Sequence, residues 1–542
     1  MRLRFLAWGA VAVISGTLCV WLWPRPQVNV LLITLDTTRA DRLGCYGYAG
    51  ARTPALDGLA AAGVLCESAA TVAPLTLPAH TSLFTGLYPA ETGVRSNGRG
   101  RLDDSIPTLA EVLKRQGYDT AAFVASFVLD ARFGLARGFK IYDDDIRGSA
   151  SDGEHAHRER DGAAVVDAAL AWLGGKPAHP FFCWVHLFDP HAPYLAHTEL
   201  FHDDFVDQPY DAEIAYVDRQ VARLVDFLKS RGLDSQTLVV VVGDHGEGLR
   251  EHQEPKHGMT LYESVLHVPL IFRQTGRLAP GRRVRGTVSL VDVSPTILEQ
   301  IGIDDPRQTT GRSIADSLRG GAAPTAPCYA ATDEPFLNNG WSSLRSLRDK
   351  HWKYVRTTRP ELYDLTADPA ERNDLAATHP EQARAMESRL SELEARLVWH
   401  AAAKMQLRPH EKRALENLGY LGGGNAGRTE QAHPVLADIK DMLPFEAIVD
   451  EAADQIARGE FDMAVERLSG VVQRFPGYSK AHCFLATALR KQSHFDAAAG
   501  VLRALLDVSP DAVEAHYDLA QVLQEQGQDD EAAAELLKTL DV

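Results

Sequence analysis

The chain has 542 residues, of which 45% are hydrophobic and 24% charged, with a formal net charge of −17. That length accommodates a large enzyme domain plus a smaller one, and the composition is ordinary for a globular protein. The acidic balance, with no basic stripe interleaved with aromatics, excludes nucleic acid as an expected partner.

Arg2 and Arg4 precede an apolar run from Phe5 to Trp23, closed by Pro24-Arg25-Pro26. A run of that length can span a bilayer, and the leading arginines orient it with the remainder outside the cytoplasm. Residues 1–26 are therefore predicted to be a single-pass cell-membrane anchor; a cleaved signal, giving a secreted or periplasmic protein, is the alternative. Val28–Leu35, Phe181–Phe188 and Leu238–Val242 are apolar runs suited to interior strands of a parallel sheet covered by helices on both faces. Each ends in acid: Asp36, then Asp189-Pro190-His191, then Gly243-Asp244-His245. Helices are predicted over Asp211–Ser230, Ser294–Gly302 and Pro380–Lys404, with strand-like sequence between Gly340 and Leu375. The glycine-rich stretch Gly419–Gly427 marks a boundary. The expected division is an N-terminal segment to 26, a catalytic domain over 27–425, a linker over 426–443 and a repeat domain over 444–542. Six scattered cysteines without a Cys-x-x-Cys pair exclude a disulfide framework and a zinc ribbon, leaving one Cys45–Cys66 bridge or buried thiols.

In open α/β sheets ligands bind beyond the carboxyl ends of the strands, so three acids at three strand ends can converge on one site. Asp and His ligands suit zinc, oxygen-rich sets suit magnesium, calcium or manganese, and one or two divalent ions are expected. A hydroxyl is a weak nucleophile near neutral pH unless a base or metal activates it, and such a cluster would supply the metal.

Thr76-Leu77-Pro78-Ala79-His80 and the following Thr81–Pro89 resemble the nucleophile segment of the alkaline phosphatase superfamily, in the part that includes sulfatases and phosphodiesterases. Leu32–Asp41, Gly243–Glu247, Leu261–Ile271, Leu290–Leu298 and Glu361–Leu365 extend that resemblance over roughly Asn29–Gly424. It implies a mainly parallel α/β sheet flanked by helices, with Asp36, Thr76, Asp244 and His245 around a first metal. Asp189, His191 and His257 are the candidates for a second. Sulfatases begin the motif with Cys or Ser, which is oxidised to formylglycine; Thr76 cannot become an aldehyde, and His80 stands where Arg is expected. Thr-x-Pro-x-His is the pattern of the nucleotide pyrophosphatase/phosphodiesterase branch, in which an Asn at the spacing of Asn97 contacts the transferred group. Asn97 suits a turn equally well. His257 is a candidate to touch substrate or protonate the leaving group, His80 to hold the nucleophile turn in preference to binding substrate, and His186 to be a satisfied core histidine. His252 is expected to face solvent.

Phe461-Asp462-x-Ala464 recurs 34 residues later as Phe495-Asp496-x-Ala498 and again as Asp529-Asp530-x-Ala532. Gly459, Ser493 and Gly527 hold a small-residue turn position. The period resembles the tetratricopeptide repeat, an all-α helical-repeat domain with a possible protein partner. The expected function is metal-dependent hydrolysis or transfer of a phosphate ester or diester, small-molecule or headgroup, with Thr76 as nucleophile. Sulfuric ester hydrolysis is the alternative, and a catalytically weak scaffold recruiting partners through its repeats is a further one.

Overall fold

The computed structural model describes residues 28–146, 159–177, 180–405 and 436–539. Its central sheet has eight strands: β1 (Asn29–Leu35), β2 (Val64–Ala70), β3 (Asp119–Phe123), β4 (Ile141–Asp143), β5 (Phe181–Leu187), β6 (Thr237–Gly243), β7 (Leu270–Arg273) and β8 (Arg282–Ser289). Their order is β4-β3-β5-β1-β6-β7-β2-β8. Every pairing is parallel except those of β7, which runs antiparallel to β2 and β6. β1 is buried along its whole length and alternates between two cores: Val30 and Leu32 join one, Leu31, Ile33 and Leu35 the other. An apolar run without polar alternation is what a strand covered on both faces requires.

A second, antiparallel sheet is built from β9 (Cys328–Thr332), β10 (Leu344–Arg348), β11 (Trp352–Arg356) and β12 (Glu361–Asp364). The helix predicted over Pro380–Lys404 stops at Glu394. Beyond it the chain is captured by tertiary pairing: the His400 amide donates to the Ala90 carbonyl, and Arg101 and Ala403 exchange backbone hydrogen bonds.

Six helices follow, Ile439–Ala457, Phe461–Arg474, Ser479–Lys491, Phe495–Val508, Val513–Glu525 and Asp529–Lys538. They form three helical hairpins, and the recurring motif opens the second helix of each. Ala464, Ala498 and Ala532 are buried where the helices pack, and Gly459, Ser493 and Gly527 all take the left-handed conformation at the turns. The expected linker lies largely outside the described residues, and helix already begins at Ile439.

One expectation is corrected here. Among the described residues no helix is long and apolar enough to cross a membrane. Residues 1–26, which carried the anchor reading, lie outside the described residues. A membrane partner, a single-pass topology and a location derived from it are therefore not retained. Cys45 and Cys66 are free, not bridged.

Candidate active site

Parallel pairing of β1 with β6 aligns Leu35 with Gly243, so the two strands deliver Asp36 and Asp244 side by side. The Asp36 amide donates to the Leu187 carbonyl of β5 (2.9 Å) and the Asp244 amide to the Leu35 carbonyl (3.2 Å), fixing both acids at the carboxyl ends of interior strands. Thr76 opens the fully buried helix Thr76–Thr85. Its Oγ1 donates to Asp36 Oδ2 at 3.2 Å and lies 3.3 Å from His245 Nε2.

His245 Nδ1 is 3.0 Å from the Gly246 carbonyl, which can only accept, so Nδ1 carries the proton and Nε2 turns its lone pair to the site. Asp244 Oδ1 accepts from the amides of His245 (2.7 Å) and Thr37 (3.2 Å). Its Oδ2 and Asp36 Oδ1 are buried without a hydrogen-bond partner, 3.6 and 4.0 Å from His245 Nε2. Burial, then the neighbouring Asp244, pushes the Asp36 carboxyl well above its ordinary range; burial likewise raises Asp244. Two buried carboxylates with bare oxygens and an aimed imidazole lone pair are costly together unless a cation joins them. Asp36, Asp244 and His245 form the one group among the described residues that can hold a metal ion.

Beneath this group His80 Nδ1 donates to the Thr76 carbonyl (2.8 Å), and its Nε2 meets Thr34 Oγ1 (3.1 Å). Trp184 Nε1 donates to the same hydroxyl (3.0 Å), and His186 Nδ1 is 3.1 Å from it. Burial pushes His80 down to about 4, and its geometry is that of a neutral imidazole supporting the turn at Thr76. His186 is buried as expected, yet its Nε2 has no hydrogen-bond partner and faces Asp36 Oδ2 at 3.6 Å. Asn97 Oδ1 accepts from the Leu77 amide (2.9 Å), which leaves Nδ2 a buried donor without a partner.

The remaining candidates sit differently. Asp189 Oδ1 accepts from the Gly162 amide at 2.8 Å, at the start of the helix Gly162–Gly174, and burial raises its carboxyl to about 7. His191 stacks on Phe188 with centroids 4.4 Å apart, and its ring is 5.2 Å from that of His257. His257 lies 4.5 Å, ring to ring, from His245. Asp189, His191 and His257 do not make a second metal-type group among the described residues. Sequence reasoning passed over Glu247. It is fully buried, and its Oε1 is 3.1 Å from His257 Nδ1. Burial lowers the His257 pKa, but the carboxylates around it, Glu247 first and then Glu254 and Asp244, together turn the net shift upward. An acid two residues beyond a metal-type Asp-His pair, within the quoted Gly243–Glu247 motif, was the available signal.

The sulfatase family profile matches residues 28–303, about half of the chain. The chain belongs to the sulfatase family. Fold and homology make it a metal-dependent hydrolase of the sulfatase/alkaline phosphatase superfamily. Within this sulfatase-family chain the profile of the N-sulphoglucosamine sulphohydrolase C-terminal region matches 256–396, and a tetratricopeptide repeat profile matches 485–541. It is 25% identical over 414 residues to the Delta 4,5-hexuronate-2-O-sulfatase of Bacteroides thetaiotaomicron, covering 65% of this chain and 85% of that protein. It is 25% identical over 446 residues to arylsulfatase K of Xenopus laevis, covering 68% and 82%. The phosphonate monoester hydrolase of Agrobacterium radiobacter shares the fold with a TM-score of 0.57 at 24% identity, over 71% of this chain and 99% of that one.

Proposed function

We propose that this chain is a metal-dependent hydrolase of anionic oxyacid esters that uses the Thr76 hydroxyl directly as nucleophile. The observation that carries this reading is Thr76 Oγ1 lying within 3.3 Å of both Asp36 Oδ2 and His245 Nε2, at the group that can hold a cation. Asp36, Asp244 and His245 would be its ligands, and the imidazole favours zinc or a similar transition metal over calcium. When bound, a divalent ion stabilises developing alkoxide charge and clamps an ester oxygen.

Thr76 Oγ1 forms a bond to the central sulfur or phosphorus as the ester oxygen departs, and its proton is held at Asp36 Oδ2. Asn97 Nδ2 donates to an oxygen of the transferred group. His257, held at Nδ1 by Glu247, gives a proton to the departing oxygen, which leaves as the alcohol. Water, giving a proton to the now neutral His257, then attacks the sulfur or phosphorus of the Thr76 ester; the bond to Thr76 Oγ1 breaks, Oγ1 takes back the proton from Asp36 Oδ2, and inorganic sulfate or phosphate leaves. His80 holds the Thr76 carbonyl and keeps the nucleophile turned toward the acids.

A sulfate ester is the first substrate class, supported by the family match and by relatives named for sulfatase activity. A phosphate or phosphonate ester is the second reading, favoured by Thr76 itself, since a route through an aldehyde hydrate is closed to it. The deciding experiment offers metal-reconstituted protein an aryl sulfate, an aryl phosphate and an aryl phosphodiester under identical conditions. The largest kcat/KM names the class. Full activity of Thr76→Ala on that substrate would end the nucleophile assignment.

A further inference from the structure

The loop joining Glu247 to His257 is held in an unusual backbone. Leu249, Arg250, His252 and Gln253 have φ of 49°, 70°, 52° and 64°, the left-handed region that L side chains rarely adopt. Such a segment persists only when its surroundings dictate it. Part of that dictation comes from the catalytic domain. Arg39 pairs with the Glu251 carboxylate, and half-buried His252 stacks on Tyr262 (3.8 Å, 13°) with Nε2 3.0 Å from the Ala370 carbonyl. Buried Glu254 closes the loop by accepting from the amides of Met259 (3.0 Å) and Thr260 (2.9 Å).

The remainder comes from the repeats. The helix Ile439–Ala457 packs on the 251–253 turn. Met259, Leu261, Val265 and Leu266, which follow His257, share one apolar cluster with Met442 and Leu443 of that helix. The helix is pinned at its start. Asp438 Oδ2 accepts from Thr358 Oγ1 (2.6 Å), the Arg359 amide (2.9 Å) and Thr357 Oγ1 (3.0 Å). A second hold on the repeats lies at the start of the helix Ser479–Lys491, where Trp341 meets Tyr478 edge-on at 5.2 Å within the same apolar cluster. Charge is matched as well. Burial would raise the Asp450 carboxyl, but Lys480, then Lys256 and Arg250 of the loop, hold it down.

We propose that the helical repeats are a working part of the active site: their first helix clamps the 249–261 loop and thereby positions His257 against Glu247. This inference rests on the proposed role of His257, and the clamp residues act through it as positioning residues. It also gives the repeats a route to the chemistry. A polypeptide that bound the repeats and displaced the helix 439–457 would change turnover without touching substrate.

The test is Trp341→Ala/Asp438→Ala in the full chain, with the milder Asp438→Asn as a second variant should the double variant fail to fold. Hydrogen exchange is followed in 249–261, in 439–457 and in β1, β5 and β6, alongside kinetics on a small aryl ester that is too short to reach the repeats. The expected result is exchange in 249–261 faster by about tenfold or more with the three strands unchanged. In the same variant kcat should fall by about 10- to 100-fold with KM and metal affinity little altered. Unchanged exchange in 249–261 when 439–457 has loosened would overturn the clamp, as would an unchanged kcat. If no form of the protein turned over any ester, the function reading would fall while the exchange data still decided the clamp.

Discussion

Replacing Thr76 by Ala and by Ser separates the nucleophile from its surroundings. Thr76 is fully buried, and its hydroxyl makes one charge-assisted contact, 3.2 Å to Asp36 Oδ2, and one at 3.3 Å to His245 Nε2. Thr76→Ala removes both while leaving Asp36, Asp244 and His245 in place, so a loss of about 1–3 kcal/mol in stability is expected. Removing a nucleophile from a catalytic unit costs on the order of 10⁴- to 10⁶-fold in kcat. Thr76→Ser keeps Oγ and loses one buried methyl group, about 1 kcal/mol, and should stay within roughly tenfold of the parent activity. The assay pairs steady-state kinetics on the preferred aryl ester with calorimetric titration of zinc into stripped protein. Titration is needed because loss of the ion would mimic loss of the nucleophile. An Ala variant that keeps its ion and more than about one per cent of parent kcat would refute the reasoning, as would an inactive but metal-loaded Ser variant.

Chelation should lower the thermal midpoint and zinc should restore it, by about 2.7 kcal/mol at a hundredfold excess over Kd; the same rescue in Asp244→Asn would mean the ion binds elsewhere. Asp189, raised to about 7 by burial, holds its proton more tightly folded than unfolded. Stability from this group is therefore fully present below pH ~4 and lost as pH rises toward 7, by at most about 4 kcal/mol. Asp189→Asn, which keeps the acceptor for the Gly162 amide, should remove that dependence in urea melts at pH 5 and 8; a variant with the parental slope contradicts it. Ser493 has φ 61° at the turn where the other two repeats use Gly459 and Gly527. Ser493→Gly should stabilise the repeats by about 0.5–1 kcal/mol in a helix-monitored melt, and a lower midpoint would show that the hydroxyl, not the backbone, matters there.

Much of this arrangement was legible because β1, β5 and β6 are covered on both faces, which writes them as uninterrupted apolar runs, and because strand ends gather ligands. That logic located Asp36, Asp244 and His245. It does not specify where a strand-end side chain turns, and Asp189 turned to the helix start at Gly162. Glu247 was passed over because its meaning depends on His257 folding back onto it, a tertiary event that leaves no periodicity. The segment beyond Glu394 has helical composition, but pairing with Ala90 and Arg101 prevailed over propensity. In the repeats the 34-residue spacing carried nearly everything, since each hairpin packs locally and repeats the same buried alanine and the same left-handed turn.

β1 is the strand on which the metal-type group depends, and it is translated long before its neighbours. Its Asn29 is 208 residues from its partner Thr237 in β6. At ordinary translation speeds that separation is roughly 10–40 s, during which an apolar strand has no edge to pair with on that side. Asp36 must wait as long for Asp244. The group Asp36, Asp244 and His245 thus cannot assemble before β6 has been made, and a nascent chain stalled short of it would leave that face of an apolar strand uncovered.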